Sequence, residues 1–259
     1  MASETDLGSR FLRWQRRGDV AWVTIDRAER RNALTSNMYF GIRRAVERVN
    51  ASGSLRALVL TGTGDVFAPG GEMGGQHVDG DVDYGALLGA SVVPFESIRE
   101  SRKPVIAAVN GLCMGGGLLI AMLADVAIAS DRATFGAPEL FRGVADSYHA
   151  AILPEHVGIA IARDMLFTGR RLDAEEALRY GLVARVVPHA DLEAATDGVV
   201  ADIMKSAPRA RVALKRIVNA RYGAIDKITF DESLGSDEVV EGFRAFVEKR
   251  SPAWVPGQT

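Results

Sequence analysis

Val109-Asn-Gly-Leu-Cys-Met-Gly-Gly-Gly117 is the stretch around which the rest of the chain can be organised. Upstream, Pro104 to Val109 is a short apolar run that predicts a buried strand; downstream, Leu118 to Leu123 predicts an apolar helix. Glycines between a strand end and a helix start leave backbone N–H groups free to face a ligand oxygen, the geometry of an anion or oxyanion site. The pattern has an earlier counterpart. Ala57 to Thr61 is an apolar run followed by Gly62 to Gly75, a loop with six glycines, too many for the interior of an element. Asp125 to Ala129 predicts the next strand. Two such passages imply a repeated ββα arrangement that presents backbone at its strand ends.

Towards the N-terminus, Phe11 to Arg17 and Val20 to Asp26 flank Gly18-Asp19 and predict a β-hairpin. Ser36 is the expected N-cap of an amphipathic helix carrying Met38, Ile42, Ala45, Val46 and Val49. Beyond Asp173 the reading is mainly helical: Ala174 to Tyr180, Asp191 to Ser206, Pro208 to Tyr222 and Asp226 to Lys249, with a strand at Leu182 to Val187. The last helix has more apolar positions than a lone surface helix uses, so it either meets another subunit or packs on its own domain.

The 259 residues are 47% hydrophobic and 25% charged, the balance of a globular protein with a core of its own. A net charge of -2 gives no reason to expect nucleic acid, whose binders carry a basic excess. Cys113 is the single cysteine, so the chain can build neither an internal disulfide nor a cysteine-based zinc cluster, which suits a reducing cytoplasm. Met1 to Arg10 lacks the basic start and apolar stretch of a secretory signal and reads as a frayed leader. Gly117 to Ala129 is interrupted by Asp125 and falls short of the roughly 20 residues a membrane span needs. The expected location is cytoplasmic.

Three segments carry chemistry. Phe67-Ala-Pro-Gly-Gly-Glu-Met73 sets a glycine pair after a strand, which alone is a turn in most proteins. The second is Val109 to Gly117. Phe135-Gly-Ala-Pro-Glu139 places a carboxylate beyond a proline that fixes the local backbone. Taken in this order they resemble the enoyl-CoA hydratase/isomerase (crotonase) superfamily. Asp26 to Leu34 is similar to that family's Asn-Ala-Leu loop, and Phe167-Thr-Gly-Arg-Arg171, Asp173-Ala-Glu-Glu-Ala177 and Gly181-Leu-Val183 are further matches.

The resemblance implies an α/β fold, a crotonase-like spiral of repeated ββα units with a helical C-terminal region. Residues 1–200 would be the core with the oxyanion hole, and 201–259 would serve oligomerisation and closure of the acyl-CoA pocket. It also implies a homotrimer or dimer of trimers. The N–H groups of Gly71 and Gly116 would hold the thioester oxygen of an acyl-CoA, each preorganised amide worth roughly 3 kcal/mol as enolate charge develops. Coenzyme A, part of the substrate and not a separate cofactor, would run along Arg30, Arg31, Ala33, Ala68, Glu72 and Met73. Phe246 and Lys249 would approach its nucleotide end, or belong to a solvated helix end.

The chain also departs from the family. Hydratases of this type use two glutamates; here Leu119 stands where the first should sit, and Glu139 occupies the second position. Hydration is helped by two carboxylates that place water and exchange a proton, whereas moving a double bond needs one base and an oxyanion hole. Isomerisation through Glu139 is therefore favoured over hydration. Gly143-Val-Ala-Asp-Ser-Tyr-His-Ala-Ala151 is a second departure. With one residue deleted, Asp146 would match an additional acid of the dienoyl-CoA isomerases. Tyr148 and His149 either face the substrate or only fill space. No metal is expected: Pro154 is expected to interrupt the helix between His149 and His156, and no third ligand is suitably spaced. Another thioester reaction, such as decarboxylation or hydrolysis, and a non-catalytic CoA-ligand binder remain as alternatives. A nucleotide loop and a serine-hydrolase elbow are missing from the sequence.

Overall fold

The computed structural model describes residues 6–72 and 94–256 of the chain. The expected hairpin is present as β1 (Leu12–Arg17) and β2 (Val20–Ile25), antiparallel, with Gly18 at φ 61° in the turn. β2 pairs in parallel with β3 (Ala57–Gly62), β3 with β5 (Val105–Val109), β5 with β7 (Val126–Ser130), and β7 with β10 (Arg185–Val187), making a six-stranded sheet. After β3, β5 and β7 the chain lays down β4 (Val66–Ala68), β6 (Leu112–Met114) and β8 (Thr134–Gly136), parallel strands of a second sheet that ends on β9 (Leu172–Asp173). Each turn of the spiral thus gives one strand to each sheet.

Period-two alternation sorts the side chains between two cores. Ala21, Val23, Leu58, Leu60, Ala107 and Val109 point to the larger core, while Trp22, Val59, Ile106 and Ala108 point the opposite way. Helix α1 (Ser36–Ala51) covers the first face with Met38, Ile42, Ala45, Val46 and Val49, all buried. The chain continues through α2 (Pro94–Arg99), α3 (Gly116–Leu123), α4 (Ser147–Val157), α5 (Ile159–Thr168) and α6 (Ala174–Tyr180). Helix α7 (Leu192–Met204) covers the opposite face through Leu192, Val199 and Val200. Then come α8 (Pro208–Asn219), α9 (Lys227–Leu234) and α10 (Asp237–Glu248). Among the described residues no helix is long and apolar enough to cross a membrane.

Four local expectations need correction. Thr35, not Ser36, caps α1: its hydroxyl accepts from the Met38 N–H at 3.2 Å, because a cap must itself lie outside the helical backbone region. The single helix expected from Asp226 to Lys249 is two, divided at Gly235-Ser236, where Ser236 starts α10 by accepting from the Val239 N–H. The strand expected from Leu182 shortens to Arg185–Val187, since Gly181 ends α6 in the left-handed region and Leu182 and Val183 still bond back to Ala177. Pro154 does not interrupt its helix; α4 runs through it.

Candidate active site

The first glycine segment is tied to the Asn-Ala-Leu loop by a parallel bridge between Leu34 and Gly71. Leu34 N–H donates to the Gly70 carbonyl, and Glu72 N–H donates to the Leu34 carbonyl, both at 2.9 Å. These bonds use the groups flanking Gly71, so the Gly71 N–H points away from the bridge. Gly116 opens α3, where a first-turn N–H has no acceptor within its own helix. The two segments touch: a Cβ at Gly70 would lie 3.5 Å from the Gly116 nitrogen. Gly70 at φ 104° and Gly115 at φ 53° hold backbone conformations that side-chain-bearing residues rarely adopt.

Two buried asparagines hold the turn between β3 and β4 behind this wall. Asn32, itself at φ 61°, donates to the carbonyls of Thr63 (3.1 Å) and Val66 (2.6 Å) and accepts from the Arg27 N–H (2.9 Å). Asn110 donates to the carbonyls of Gly64 (2.9 Å) and Val66 (3.2 Å) and accepts from the Gly62 N–H (3.0 Å). Arg27 is buried; its guanidinium meets Glu72 at 2.7 Å and the Ala33 carbonyl at 2.9 Å. The Glu72 carboxylate is thereby engaged in an ion pair with Arg27. Glu72→Ala leaves the buried Arg27 charge without its partner, and a loss of about 3 kcal/mol is expected in denaturant unfolding, against little change for a distant surface Glu→Ala.

The glycine wall borders a cavity of about 160 Å³. Gly70, Gly71 and Gly116 meet Leu119, Glu139 and Asp146 there, and Phe230, Leu234 and Phe243 from α9 and α10 also line it. The C-terminal helices lie close because Gly143 and Gly242 have no side chains: a Cβ on either would meet the Glu238 or Arg142 backbone. Arg142 stacks its guanidinium 4.3 Å above the Phe246 ring.

Glu139 begins a one-turn 3-10 helix, Glu139–Arg142, and its Oε1 lies where a Gly115 side chain would sit. Its Oε2 is buried, without a hydrogen bond among the described residues, 3.9 Å from His149 Nδ1. Asp146 caps α4, accepting from the His149 N–H at 3.1 Å, and its second oxygen lies 3.0 Å from His149 Nδ1. That contact lies off the line of a straight hydrogen bond and is an ion pair when the ring is protonated. Burial pushes the Glu139 carboxyl up to about 7, against the pull of His149. Burial alone would lower the His149 imidazole, yet Asp146 and then Glu139 outweigh it and carry it up to about 9. Burial would raise Asp146 too, but the His149 charge and hydrogen bonds hold it low.

The remaining candidates fall in three groups. Tyr148 packs edge-on against Phe230 and tilted against Phe95, and neither it nor His149 is among the residues lining the cavity. Arg30, Arg31, Phe246 and Lys249 are exposed, and Ala33 and Ala68 lie on the bridged segments. Met73 and the loop from Gly74 lie outside the described residues. His149 and His156 do not converge, because His156 meets the Tyr222 hydroxyl at 3.1 Å. Glu139, Asp146 and His149 do converge, with one ligand-type atom each within 4.8 Å of the others. Sequence reading also missed Tyr39, which lines the cavity with its hydroxyl against the face of Gly116; a tyrosine among the apolar positions of α1 is the signal that could have found it.

The sequence profile of the enoyl-CoA hydratase/isomerase family matches residues 15–257. The chain belongs to that family. It is 35% identical to a carnitinyl-CoA dehydratase of Citrobacter koseri over 95% of this chain and 98% of that one. A carnitinyl-CoA dehydratase of Proteus mirabilis is 34% identical with the same coverage. Among solved structures, an enoyl-CoA hydratase/isomerase of Pseudoalteromonas atlantica superposes with a TM-score of 0.82 at 31% identity, covering 94% of this chain and 99% of that one. A carnitinyl-CoA hydratase of Mycobacterium avium gives 0.80 at 31% identity, covering 95% and 98%. The fold is therefore the crotonase-like spiral, and the protein is an enzyme of the enoyl-CoA hydratase/isomerase family, which acts on CoA thioesters. Within this family member, the apolar Leu119 faces the cavity that Glu139 shares with Asp146.

Proposed function

We propose that the enzyme shifts the double bond of an enoyl-CoA thioester, with Glu139 as the base and the N–H groups of Gly71 and Gly116 holding the thioester oxygen. The observation that supports this most is the half-buried Glu139, its carboxyl against the glycine wall with Oε2 out of solvent and leucine at position 119; burial pushes that carboxyl up to about 7. Glu139 takes the proton from C2 of a 3-enoyl thioester, and the electron pair forms C1=C2 while the carbonyl pair moves onto the thioester oxygen; as C1=O re-forms, the C1=C2 pair becomes C2=C3 and the C3=C4 pair takes the proton at C4. The same carboxyl returns the proton, so no water enters the product. Enolate charge on the oxygen is met by amides already in place, which need no reorganisation during the step. Exposed Arg30, Arg31 and Lys249 would serve the phosphates of coenzyme A, and the Ala33 and Ala68 backbone its extended arm.

A second reading is water elimination or addition. It is favoured by the names of the carnitinyl-CoA dehydratases and by Asp146, a second carboxylate on the cavity wall. Incubation with 2-enoyl-, 3-enoyl- and dienoyl-CoA thioesters, following mass and conjugation absorbance together, separates them. Isomerisation changes absorbance at constant mass; a gain or loss of one water makes the second reading correct.

Because Glu139 works as a base only when ionised, turnover is expected to be low at acid pH and to rise as pH passes about 7. A pH profile of kcat/KM with 3-enoyl-CoA checks this; an acid limb at the ordinary carboxylate value near 4.5 contradicts it.

A further inference from the structure

Glu139 and Asp146 face the cavity, but the group that joins them is behind the wall. His149 is fully buried on the first turn of α4, and both oxygens of Asp146 are directed to it, one to its backbone N–H and one to its ring. Its ring then faces Oε2 of Glu139, which has no hydrogen bond among the described residues. We propose that His149, fixed as an imidazolium by Asp146, is a positioning residue that keeps the half-buried Glu139 in the charge state and orientation in which it can accept a proton. The role rests on the reading of Glu139 as the base.

Among the described residues the charges around Glu139 are few. Asp146 raises its carboxyl, His149 lowers it, and Arg142 on its own turn lowers it weakly. Lys227 of α9 also lines the cavity and is paired with Asp231 at 3.2 Å. His149 is the main charge that opposes burial. Without it a carboxyl in this apolar cavity stays protonated at neutral pH, as buried acids do. Leu119 sharpens the need, since the side chain there offers Glu139 no hydrogen bond. The same three groups could enclose a divalent cation, but a metal needs a neutral imidazole, whereas Asp146 and Glu139 both favour the charged ring.

The direct test is a carbon and nitrogen NMR titration of the four histidines in the wild-type protein, with His149 assigned through the backbone. His149 is expected to remain an imidazolium at pH 8; a ring that is neutral at pH 7, or one deprotonated by added Zn²⁺ or Mn²⁺, overturns the proposal. This arm involves no reaction, so it stands apart from failure of the isomerase reading, which would show as turnover surviving in Glu139→Gln or absent with every thioester. The second arm is His149→Gln. The acid limb of its pH–rate profile should move up by at least one pH unit from about 7, so that kcat falls about fivefold or more at pH 7 and recovers towards wild type at pH 9, with KM little changed. A loss equal at every pH, or an unmoved limb, means that the ring only fills space.

Discussion

Glu139→Gln is expected to reduce turnover by about 10³-fold, in the middle of the range a positioned acid/base group contributes, while acyl-CoA binding changes little. The amide keeps the shape of the carboxyl, so the cavity and glycine wall remain, but it cannot accept a proton from carbon. Single-turnover kinetics with a separate titration of ligand binding would measure both quantities. Stability should move independently. In the folded protein Glu139 is raised from 4.5 to about 7, so the unfolded chain ionises first and stability falls as pH rises through that interval. Gln does not ionise and escapes the penalty, so the variant should melt at or above the wild-type temperature at pH 8. Retained turnover would remove Glu139 from the mechanism; a large drop in melting temperature would mean that its attraction to His149 outweighs its burial.

Gly117→Ala is expected to lower turnover by about 10²-fold or more through the backbone alone, the scale of losing one oxyanion donor. A methyl group there would overlap the Ala68 carbonyl, and since that atom is backbone in β4 the start of α3 must move away. The movement carries the Gly116 N–H out of line with the Gly71 N–H, without touching Glu139. The matched control is Gly198→Ala in the middle of α7, where an added methyl meets nothing within 4 Å. That variant should gain roughly 0.5–1 kcal/mol from a less flexible unfolded chain and keep full activity. Equal activity of the two variants would separate the glycine wall from catalysis.

Much of the spiral can be read without coordinates. The runs at Val20, Ala57 and Pro104 reveal themselves because sheet residues buried on both faces must be apolar in succession, and the glycines after them cannot be interior positions. Glu139 stands out for a related reason: Pro138 and the left-handed Gly143 bracket a single turn that has little freedom to point elsewhere. The helix ends were less legible. Thr35 and Ser36 are equally good caps by residue type, and the break at Gly235 is one glycine within an otherwise helical pattern.

The amino-acid sequence by itself determined the order of strands, the two glycine segments that line the wall, the carboxylate beside them and the leucine that replaces a second one. The strands and glycine segments follow from local rules, since periodicity and glycine content record which backbone is buried or must approach closely, whereas the carboxylate and the leucine stand out only through the family resemblance. The tertiary structure alone decided what each polar group meets. Glu72 was expected alongside coenzyme A, and only folding shows that Arg27, 45 positions earlier, meets its carboxylate; His149 was a space-filler or a ligand contact until the turn at Gly143 brought it behind Glu139. An ionisable side chain in sequence has only a type. Its charge state and reach are set by burial and by the charges packed around it, and those come from segments that only folding brings together.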